Sequence, residues 1–296
     1  MKIISVVNNQ ATQDGDGVNI SRISDFSTLT LDPYLMIDEI KSANENDYVG
    51  GFPEHPHRGI DTFTYMINGG FTHQDQLGNK ETIEHGGVQW MSTGEGVMHS
   101  EMPIPGEDKN IHGFQIWLNM PAADKMRPAI YQDANNQDLP ILDNGKGASL
   151  KLLSGEWSFE QQSARSPLMQ LAGDSAIADL TLEGSVLAEL DLSHFNQVLV
   201  LIHQGAIHVN NGPYSGLNNE IGADMGDVIR AGQLVIVDSR EILHLRASND
   251  GAGVLILAGN KINEKIVHMG PFVMNTQAQM EQTIRDYRSG KFGHID

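Results

Sequence analysis

The amino-acid sequence predicts an all-β protein made of two β-rich halves, with one short helix at its end. Three observations predict this class. Short apolar or alternating runs recur along the chain, glycine-containing turns separate them about every 8 to 12 residues, and a polar, turn-rich segment lies near the middle. This pattern is typical of β-sandwiches and β-barrels rather than of α/β folds.

The first half contains a clear hairpin signal. Asn68 and Gly69 separate two runs rich in β-branched and aromatic residues, and an Asn-Gly pair suits a tight turn because such turns need positive φ. The strands predicted in this half share short length and flanking glycine, and they are 61–67, 71–76, 88–92, 97–102 and 111–120.

The segment from Gln132 to Gly147 is polar and turn-rich, and it is interpreted as the linker between two domains, 1–135 and 136–296. Glycines such as Gly205, Gly226 and Gly232 separate the runs that follow it. The strands predicted in the second half are 176–182, 186–192, 198–203, 206–209, 228–230, 234–237, 243–247 and 254–258.

The C-terminal helix has start and stop signals. Thr276 is a suitable N-cap, with Gln279 three residues later. Met280, Ile284 and Tyr287 form an apolar stripe at helical spacing, and Gly290 is expected to end the helix.

Two pairs of metal-capable side chains are the most informative motif. His55 and His57, and further along His99 and Glu101, each stand at positions i and i+2. Alternate residues of a β-strand point to the same face, so two adjacent strands would bring three imidazoles and one carboxylate together. That donor set suits a divalent transition metal, Fe(II) above all, and leaves coordination positions open. The alternative is that these are unrelated surface residues.

Two further polar residues are candidates for supporting roles. If the strand alternation continues from His57, Asp61 shares its face and would orient a ligand imidazole or bind the metal directly. A twist or an end of the strand would instead leave Asp61 in solvent. Gln115 would donate a hydrogen bond in the metal pocket or in the core, whereas His73 and His85 are expected at exposed turns.

Composition narrows the class of protein. The chain of 296 residues contains no cysteine, which excludes disulfides, thiolate metal sites and catalytic thiols. With 38 acidic and 19 basic residues, direct binding to nucleic acid is not expected. No apolar stretch has the length of a signal peptide or a membrane span, so a cytoplasmic protein is expected.

Four segments resemble the pirin family. They are residues 51–59 (GFPEHPHRG), 89–103 (QWMSTGEGVMHSEMP), 112–119 (HGFQIWLN) and 270–276 (GPFVMNT). The resemblance implies a bicupin, in which two cupin-type β-barrels face each other and the N-terminal barrel holds one metal, usually iron. It also implies His55, His57, His99 and Glu101 as ligands. The histidines of the second half form no i, i+2 pair, so no metal is expected in the C-terminal barrel.

The resemblance implies a quercetin 2,3-dioxygenase-like enzyme that cleaves a small flavonol-like substrate with O2, with Glu101 as the general base. Other pirins act as metal- or redox-responsive regulators through contact with a transcription factor or a metabolic enzyme, so a protein partner is the alternative. A metal that only stabilises the barrel is a third interpretation. Family members are often monomers, and a monomer is expected here.

Overall fold

The computed structural model describes residues 2–26, 31–209, 227–240 and 242–295. The chain folds into two compact units. The first unit comprises residues 10–139, 170–173 and 261–296, and the second comprises 1–9, 140–169 and 174–260. The described residues are mostly strand and include one α-helix, which confirms the predicted all-β class. None of the helices in these ranges is both long and apolar enough to cross a membrane.

The units differ from the predicted division at residue 135: residues 136–139 and 170–173 join the first unit, and two longer segments also change place. The N-terminal strand Ile3–Asn8 belongs to the second unit, because it pairs antiparallel with Gln233–Val237 and so satisfies its backbone groups there. Residues 261–296, predicted to complete the C-terminal barrel, belong to the first unit together with the α-helix.

Two sheets form the first unit. Its strands are β2 (Gln10–Asp14), β3 (Val18–Ser24), β4 (Tyr34–Ser42), β5 (Phe52–His57), β6 (Ile60–Asn68), β7 (Gly70–Asp75), β8 (Lys80–Ile83), β9 (Val88–Ser92), β10 (Val97–Ile104), β11 (Ile111–Asn119), β12 (Ile130–Ala134), β23 (Val267–Met269) and β24 (Phe272–Met274), and three 3₁₀ turns lie at Glu45–Asp47, Glu107–Lys109 and Asn136–Asp138. One sheet has the order β5-β10-β7-β8 and the other the order β12-β9-β6-β11-β4-β3-β2, with β23 and β24 forming a separate hairpin.

Local sequence explains why the first unit folds this way. The predicted Asn-Gly turn is confirmed, with Gly69 at φ 71° between β6 and β7. Apolar side chains from both sheets pack into one core, including Ile20, Met66, Phe71 and Ile111. β10, the strand that carries His99 and Glu101, pairs with β5 on one side and with β7 on the other, so it lies inside its sheet.

One large sheet and a hairpin form the second unit. Its strands are β1 (Ile3–Asn8), β13 (Ile141–Asp143), β14 (Ala148–Ser154), β15 (Glu156–Phe159), β16 (Gln162–Arg165), β17 (Ala176–Leu182), β18 (Leu187–Leu190), β19 (Gln197–Val209), β20 (Asp227–Arg230), β21 (Gln233–Val237) and β22 (Leu243–Gly259), and a further 3₁₀ turn lies at Ala172–Asp174. The large sheet follows the order β1-β21-β19-β22-β17-β14-β13, with β18 and β20 alongside.

Two pairs of predicted strands are single long strands. The segments predicted at 198–203 and 206–209 form β19, and those at 243–247 and 254–258 form β22. Gly205 and Gly251 mark irregular positions within them, at φ 65° and 82°, and the register between the two strands shifts beside Gly205. The predicted turn at Gly226 lies outside the described residues.

The predicted linker from Gln132 to Gly147 is only partly irregular. Its first residues end β12, which pairs with β9, and β13 lies within it and pairs with β14. The polar composition of this segment predicted a loop, but β12 and β13 are edge strands, whose side chains can face water while their backbones still pair.

The C-terminal helix α1 (Gln277–Arg288) is confirmed with its cap. The Thr276 side chain accepts a hydrogen bond from the Gln279 amide, and the Gln279 side chain accepts one from the Thr276 amide. Met280 is buried and Ile284 is partly buried, both against the first unit's cluster with Phe272, whereas Tyr287 is largely exposed.

Candidate metal centre

The two predicted ligand pairs lie on neighbouring strands. β5 and β10 are antiparallel, and His55 stands directly opposite His99 in their register. The register shifts between His99 and Glu101, so Glu101 lies opposite Phe52. Alternation within each strand therefore brings the histidines to one face of the sheet, as the spacing predicts.

The three imidazoles converge. Ring centroids are 4.8 Å apart between His55 and His57, 4.3 Å between His55 and His99, and 4.9 Å between His57 and His99. One nitrogen from each ring lies within 4.8 Å of the others. His57 and His99 are buried, whereas His55 is partly exposed.

The surroundings of these rings fit a divalent metal. Both ring nitrogens of His99 are buried and have no hydrogen-bond partner in the described structure, an arrangement that costs free energy unless something binds them. Burial, reinforced by the neighbouring His55, lowers the pKa of His57 and of His99 well below the usual value. Neutral imidazoles keep the lone pair that metal coordination requires.

Backbone carbonyls orient the other two rings. Nδ1 of His55 lies 2.8 Å from the Pro53 oxygen, and Nδ1 of His57 lies 3.4 Å from the Pro271 oxygen. A proton on Nδ1 would serve these contacts and would leave Nε2 of each ring free as a ligand atom.

Glu101 is held by three donors. Its Oε1 accepts hydrogen bonds from Thr64 Oγ1 at 3.2 Å and Gln89 Nε2 at 3.1 Å, and its Oε2 accepts one from Gln115 Nε2 at 2.8 Å. The carboxylate is almost fully buried. Gln115 donates this hydrogen bond from β11, a strand of the other sheet of the first unit.

His73 is the site residue that the sequence did not indicate. The prediction of an exposed turn is wrong: His73 lies within β7, opposite Glu101, and its side chain is fully buried. Its Nε2 lies 3.2 Å from an Asp75 carboxylate oxygen, and its ring stacks on Tyr131 at 4.7 Å. His73, His99 and Glu101 form a second group of ligand atoms within 4.8 Å, so Glu101 groups with His73 and His99 rather than with all three motif histidines. His85, by contrast, is exposed as predicted.

Asp61 has a different place from the one predicted. Gly59, at φ 78°, separates β5 from β6, so the alternation from His57 does not continue to Asp61. Asp61 is fully buried and accepts a hydrogen bond from the Ala172 amide at 2.9 Å, and burial raises its pKa. In the described structure it makes no hydrogen bond to a motif histidine. The opposite face of β6, carrying Thr64, is the one that reaches Glu101.

A cavity of about 810 Å³ adjoins this centre within the first unit. His55, His57, Glu101 and Gln115 line it, and apolar side chains form much of the remaining wall, namely Ile20, Phe26, Met36, Phe52 and Trp117. Trp117 meets His57 edge-on at 4.9 Å. Phe26 lies parallel to His268 at 3.6 Å and edge-on to Trp117 at 6.2 Å. The cavity therefore joins metal-capable groups to a partly aromatic wall, which suits a planar organic ligand.

Comparison with known proteins agrees with the fold and with the motifs. Residues 18–118 match the pirin family model, and residues 177–293 match the model of the pirin C-terminal cupin domain. A Vibrio cholerae protein named "Putative quercetin 2,3-dioxygenase" is 40% identical over 98% of this chain and 97% of its own length. A Pseudomonas aeruginosa protein with the same name is 35% identical over 97% of this chain and 96% of its own.

Solved structures of similar fold also include proteins named quercetin 2,3-dioxygenase and pirin. The crystal structure of a quercetin 2,3-dioxygenase from Acinetobacter baumannii has a TM-score of 0.83 and 26% identity, covering 100% of this chain and 99% of that one. The Escherichia coli pirin YhhW in complex with nickel(II), with a TM-score of 0.61 over 86% of this chain and 97% of that one, is only 18% identical and shares the fold. With both cupin domains matched and relatives aligned along nearly its whole length, the chain belongs to the pirin family.

Proposed function

We propose that this protein is a metal-dependent dioxygenase that opens flavonol-like aromatic compounds with O2. The observation that carries the proposal is the convergence of His55, His57 and His99 beside a large, partly aromatic cavity. The names of its relatives in Vibrio cholerae and Pseudomonas aeruginosa support the same reaction. We propose one divalent ion per chain, Fe(II), with His55, His57, His99 and Glu101 as its ligands. His55, His57 and His99 already form one group of ligand atoms, whereas Glu101, which here groups with His73 and His99, would complete the set by turning its carboxylate toward the ion.

The ion, when bound, supplies Lewis-acid and redox chemistry that no protein side chain provides. The remaining roles belong to the protein. Glu101 would take the proton of an aromatic hydroxyl, and Oε2 would be the better acceptor because Oε1 already accepts two hydrogen bonds while Oε2 accepts one. Gln115 and Thr64 hold the carboxylate in place while the proton moves.

The cavity walls orient the substrate and limit water. Trp117 and Phe26 offer flat apolar surfaces near His57, and a flavonol ring system would stack against them with its hydroxyl toward Glu101. Orienting the reacting hydroxyl beside its base converts an encounter in solution into a step within one complex.

Metal-responsive regulation through a protein partner is the alternative proposal. A sensor needs the metal centre but has no need of a cavity as large as this one beside it. The cavity therefore favours a small-molecule substrate.

One experiment separates these functions. Protein purified without added metal is analysed for bound ions, titrated with quercetin without oxygen, and then exposed to O2. Cleavage of the flavonol with release of carbon monoxide supports the enzyme. Quercetin binding without turnover in iron-loaded protein would contradict the proposed dioxygenase activity on quercetin and favour a regulator.

A further inference from the structure

The cavity beside the metal centre is strongly acidic. Five carboxylates other than Glu101 line it, and they belong to Asp14, Asp16, Asp25, Asp38 and Glu54. Arg22 is the single Lys or Arg side chain among the described lining residues. Five carboxylates and one guanidinium carry a net charge of −4, and adding Glu101 and a divalent ion still leaves the cavity negative.

Arg22 is not free to receive an anionic ligand. Its Nε and Nη2 donate to the two carboxylate oxygens of Asp38 at 2.9 and 2.7 Å, and Nη2 also donates to Asp14 at 2.9 Å. The hydrogen bonds to Asp38 raise the pKa of Arg22, so the guanidinium stays charged and engaged. The usual cationic partner for a carboxylate, sulfate or phosphate group is therefore already occupied.

Features other than the carboxylates indicate a ligand space here. Both buried ring nitrogens of His99 lack a hydrogen-bond partner among the described residues, and His99 groups with His55 and His57, which line the cavity. Phe26, stacked on His268, and Trp117 add flat aromatic surface to the same space. The acidic side chains therefore line the same space as the imidazoles and the aromatic rings, which can contact a ligand.

We propose that the cavity selects uncharged, hydroxyl-rich planar aromatics and rejects anionic ones, such as sulfated, carboxylated or glucuronidated conjugates. The inference rests on the proposed function, because it specifies the substrates of that same centre. The carboxylates that would repel a negatively charged ligand are those of Asp14, Asp16, Asp25 and Glu54.

Two physical effects favour such a ligand. A cleft lined by charges of one sign focuses its field and repels ions of that sign, so an anionic conjugate meets a barrier that a neutral flavonol does not. Ionised carboxylates are acceptors only, so phenolic hydroxyls have partners here, whereas methoxy groups have no hydrogen to donate.

Binding without oxygen tests the proposal independently of turnover. Quercetin, quercetin 5′-sulfonate and 3′,4′-di-O-methylquercetin are titrated calorimetrically into metal-loaded protein at neutral pH. At low salt we expect the sulfonate to bind at least about tenfold more weakly than quercetin, with the gap narrowing at about 0.5 M salt because added ions screen exposed charges. The dimethyl ether should also bind more weakly than quercetin, but without salt dependence.

Charge-neutralising variants locate the effect. Asp16 and Asp25 are both exposed, so Asp16→Asn with Asp25→Asn should leave the fold intact and raise the affinity for the sulfonate about 3- to 10-fold relative to the affinity for quercetin. Glu84→Gln with Glu281→Gln is the matched control, since both residues are exposed and neither lines the cavity. This control should leave the selectivity unchanged.

The outcomes separate the inference from the proposed function. Equal affinity for quercetin and its sulfonate, no binding of quercetin, or a gap that the aspartate variants do not change would overturn the inference. Charge selectivity without carbon monoxide release would support the inference and refute the dioxygenase. Carbon monoxide release without charge selectivity would do the reverse.

Discussion

A glutamine at position 101 keeps the shape of the glutamate and still offers one oxygen to a metal. It cannot take up a proton near neutral pH, so the reacting hydroxyl would stay protonated. We expect Glu101→Gln to retain much of its iron and to lose about 10²- to 10⁴-fold in the rate of quercetin cleavage. The measurement is turnover at matched iron occupancy, with Glu84→Gln as the control because Glu84 is exposed. Cleavage at the parent rate by the iron-matched variant would show that Glu101 is not the base.

Gln115 tests whether the position of Glu101 matters. In Gln115→Leu, Glu101 Oε2 loses the 2.8 Å hydrogen bond that fixes it, and a hydrogen bond to a charged group contributes about 1.5–3 kcal/mol. We expect kcat to fall about 10- to 100-fold while metal content changes little. Gln277→Leu is the control, since Gln277 is exposed at the start of α1. An equal fall in that variant, or no fall in Gln115→Leu, would contradict the positioning role.

Because Lys125 is buried, we expect the free energy of unfolding to depend on pH. Its side chain is 1% exposed, and Nζ in its protonated form donates to the oxygens of Gly59 at 2.6 Å, Asn119 at 2.7 Å and Val273 at 2.9 Å. Burial lowers its pKa from 10.5 to about 7. Between these values the unfolded chain binds a proton that the folded chain does not, so Lys125 makes the free energy of unfolding rise with pH. Below about pH 7 both states are protonated and this contribution is constant.

Substitution isolates that contribution. One proton corresponds to about 1.4 kcal/mol per pH unit, so the stability of Lys125→Met should gain about 1 kcal/mol less per pH unit than the parent from pH 7.5 to 9.5. Urea unfolding at several pH values measures the slope, and Lys80→Met, at an exposed position, is the control. Parallel pH profiles for Lys125→Met and the parent would show that Lys125 does not titrate in this range.

Residue-level prediction from the sequence worked where it depended on one strand. Alternation within β5 was enough to predict that His55 and His57 share a face, whereas their meeting with His99 also required the assumption that β5 and β10 are neighbours, which the structure supports. It failed for His73, whose proximity to Glu101 depends on the register of β7 with β10, which local patterns do not encode. It also failed for Asp61, because the positive φ of Gly59 interrupts the alternation.

At the scale of elements, Arg58 ties the strand that carries His57 to α1. Its Nη1 donates to Thr283 at 3.1 Å and to Asp286 at 3.0 Å, and its guanidinium lies 4.5 Å from the centre of the Phe292 ring. The Arg58 oxygen also accepts from the Val273 amide at 3.1 Å. Both Arg58 and Asp286 are buried, and Arg58 depends on Asp286 for charge compensation, whereas Asp286 also pairs with Lys291 at 2.6 Å.

Loss of Arg58 should therefore loosen α1. Leaving a buried charge without any partner costs about 3–5 kcal/mol, and the cost is smaller here because Asp286 keeps its ion pair with Lys291. We expect Arg58→Met to lower the Tm by a few degrees and to speed hydrogen exchange across residues 277–288. Arg288→Met is the control on the same helix, since Arg288 is exposed. Unchanged exchange in α1 of Arg58→Met would mean that the ion pair does not hold the helix.

Element prediction followed the same division between local and non-local information. The cap and stripe of α1 are local, and the helix was predicted with its start and its stop. The full lengths of β19 and β22 were not predicted. Their glycines were interpreted as turns, but they mark irregular positions within two long paired strands. The exposed strand β2 was missed because its polar side chains resemble those of loops, and β13 was missed because it has only three residues inside a polar, turn-rich segment.

At the scale of the whole molecule, we expect one tightly bound transition metal per chain. Both groups of ligand atoms found in the described residues lie in the first unit and share His99. His99→Ala should therefore lower metal affinity steeply, although the remaining donors can still hold an ion weakly. Metal analysis by mass spectrometry after dialysis measures this, with His244→Ala in the second unit as the control. Two ions per chain, or full retention by His99→Ala, would contradict the single centre.

The return of residues 261–296 to the first unit has a consequence for synthesis of the protein. The Pro271 oxygen beside His57, the Val273 backbone that meets Arg58 and the helix that Arg58 binds all leave the ribosome after the second unit has been translated. The unit whose motifs come early in the chain is thus completed late, so a growing chain carries its metal-capable histidines before their supports exist. A chain truncated near residue 260 should contain His55, His57 and His99 but lack the residues 261–296 that support the metal centre.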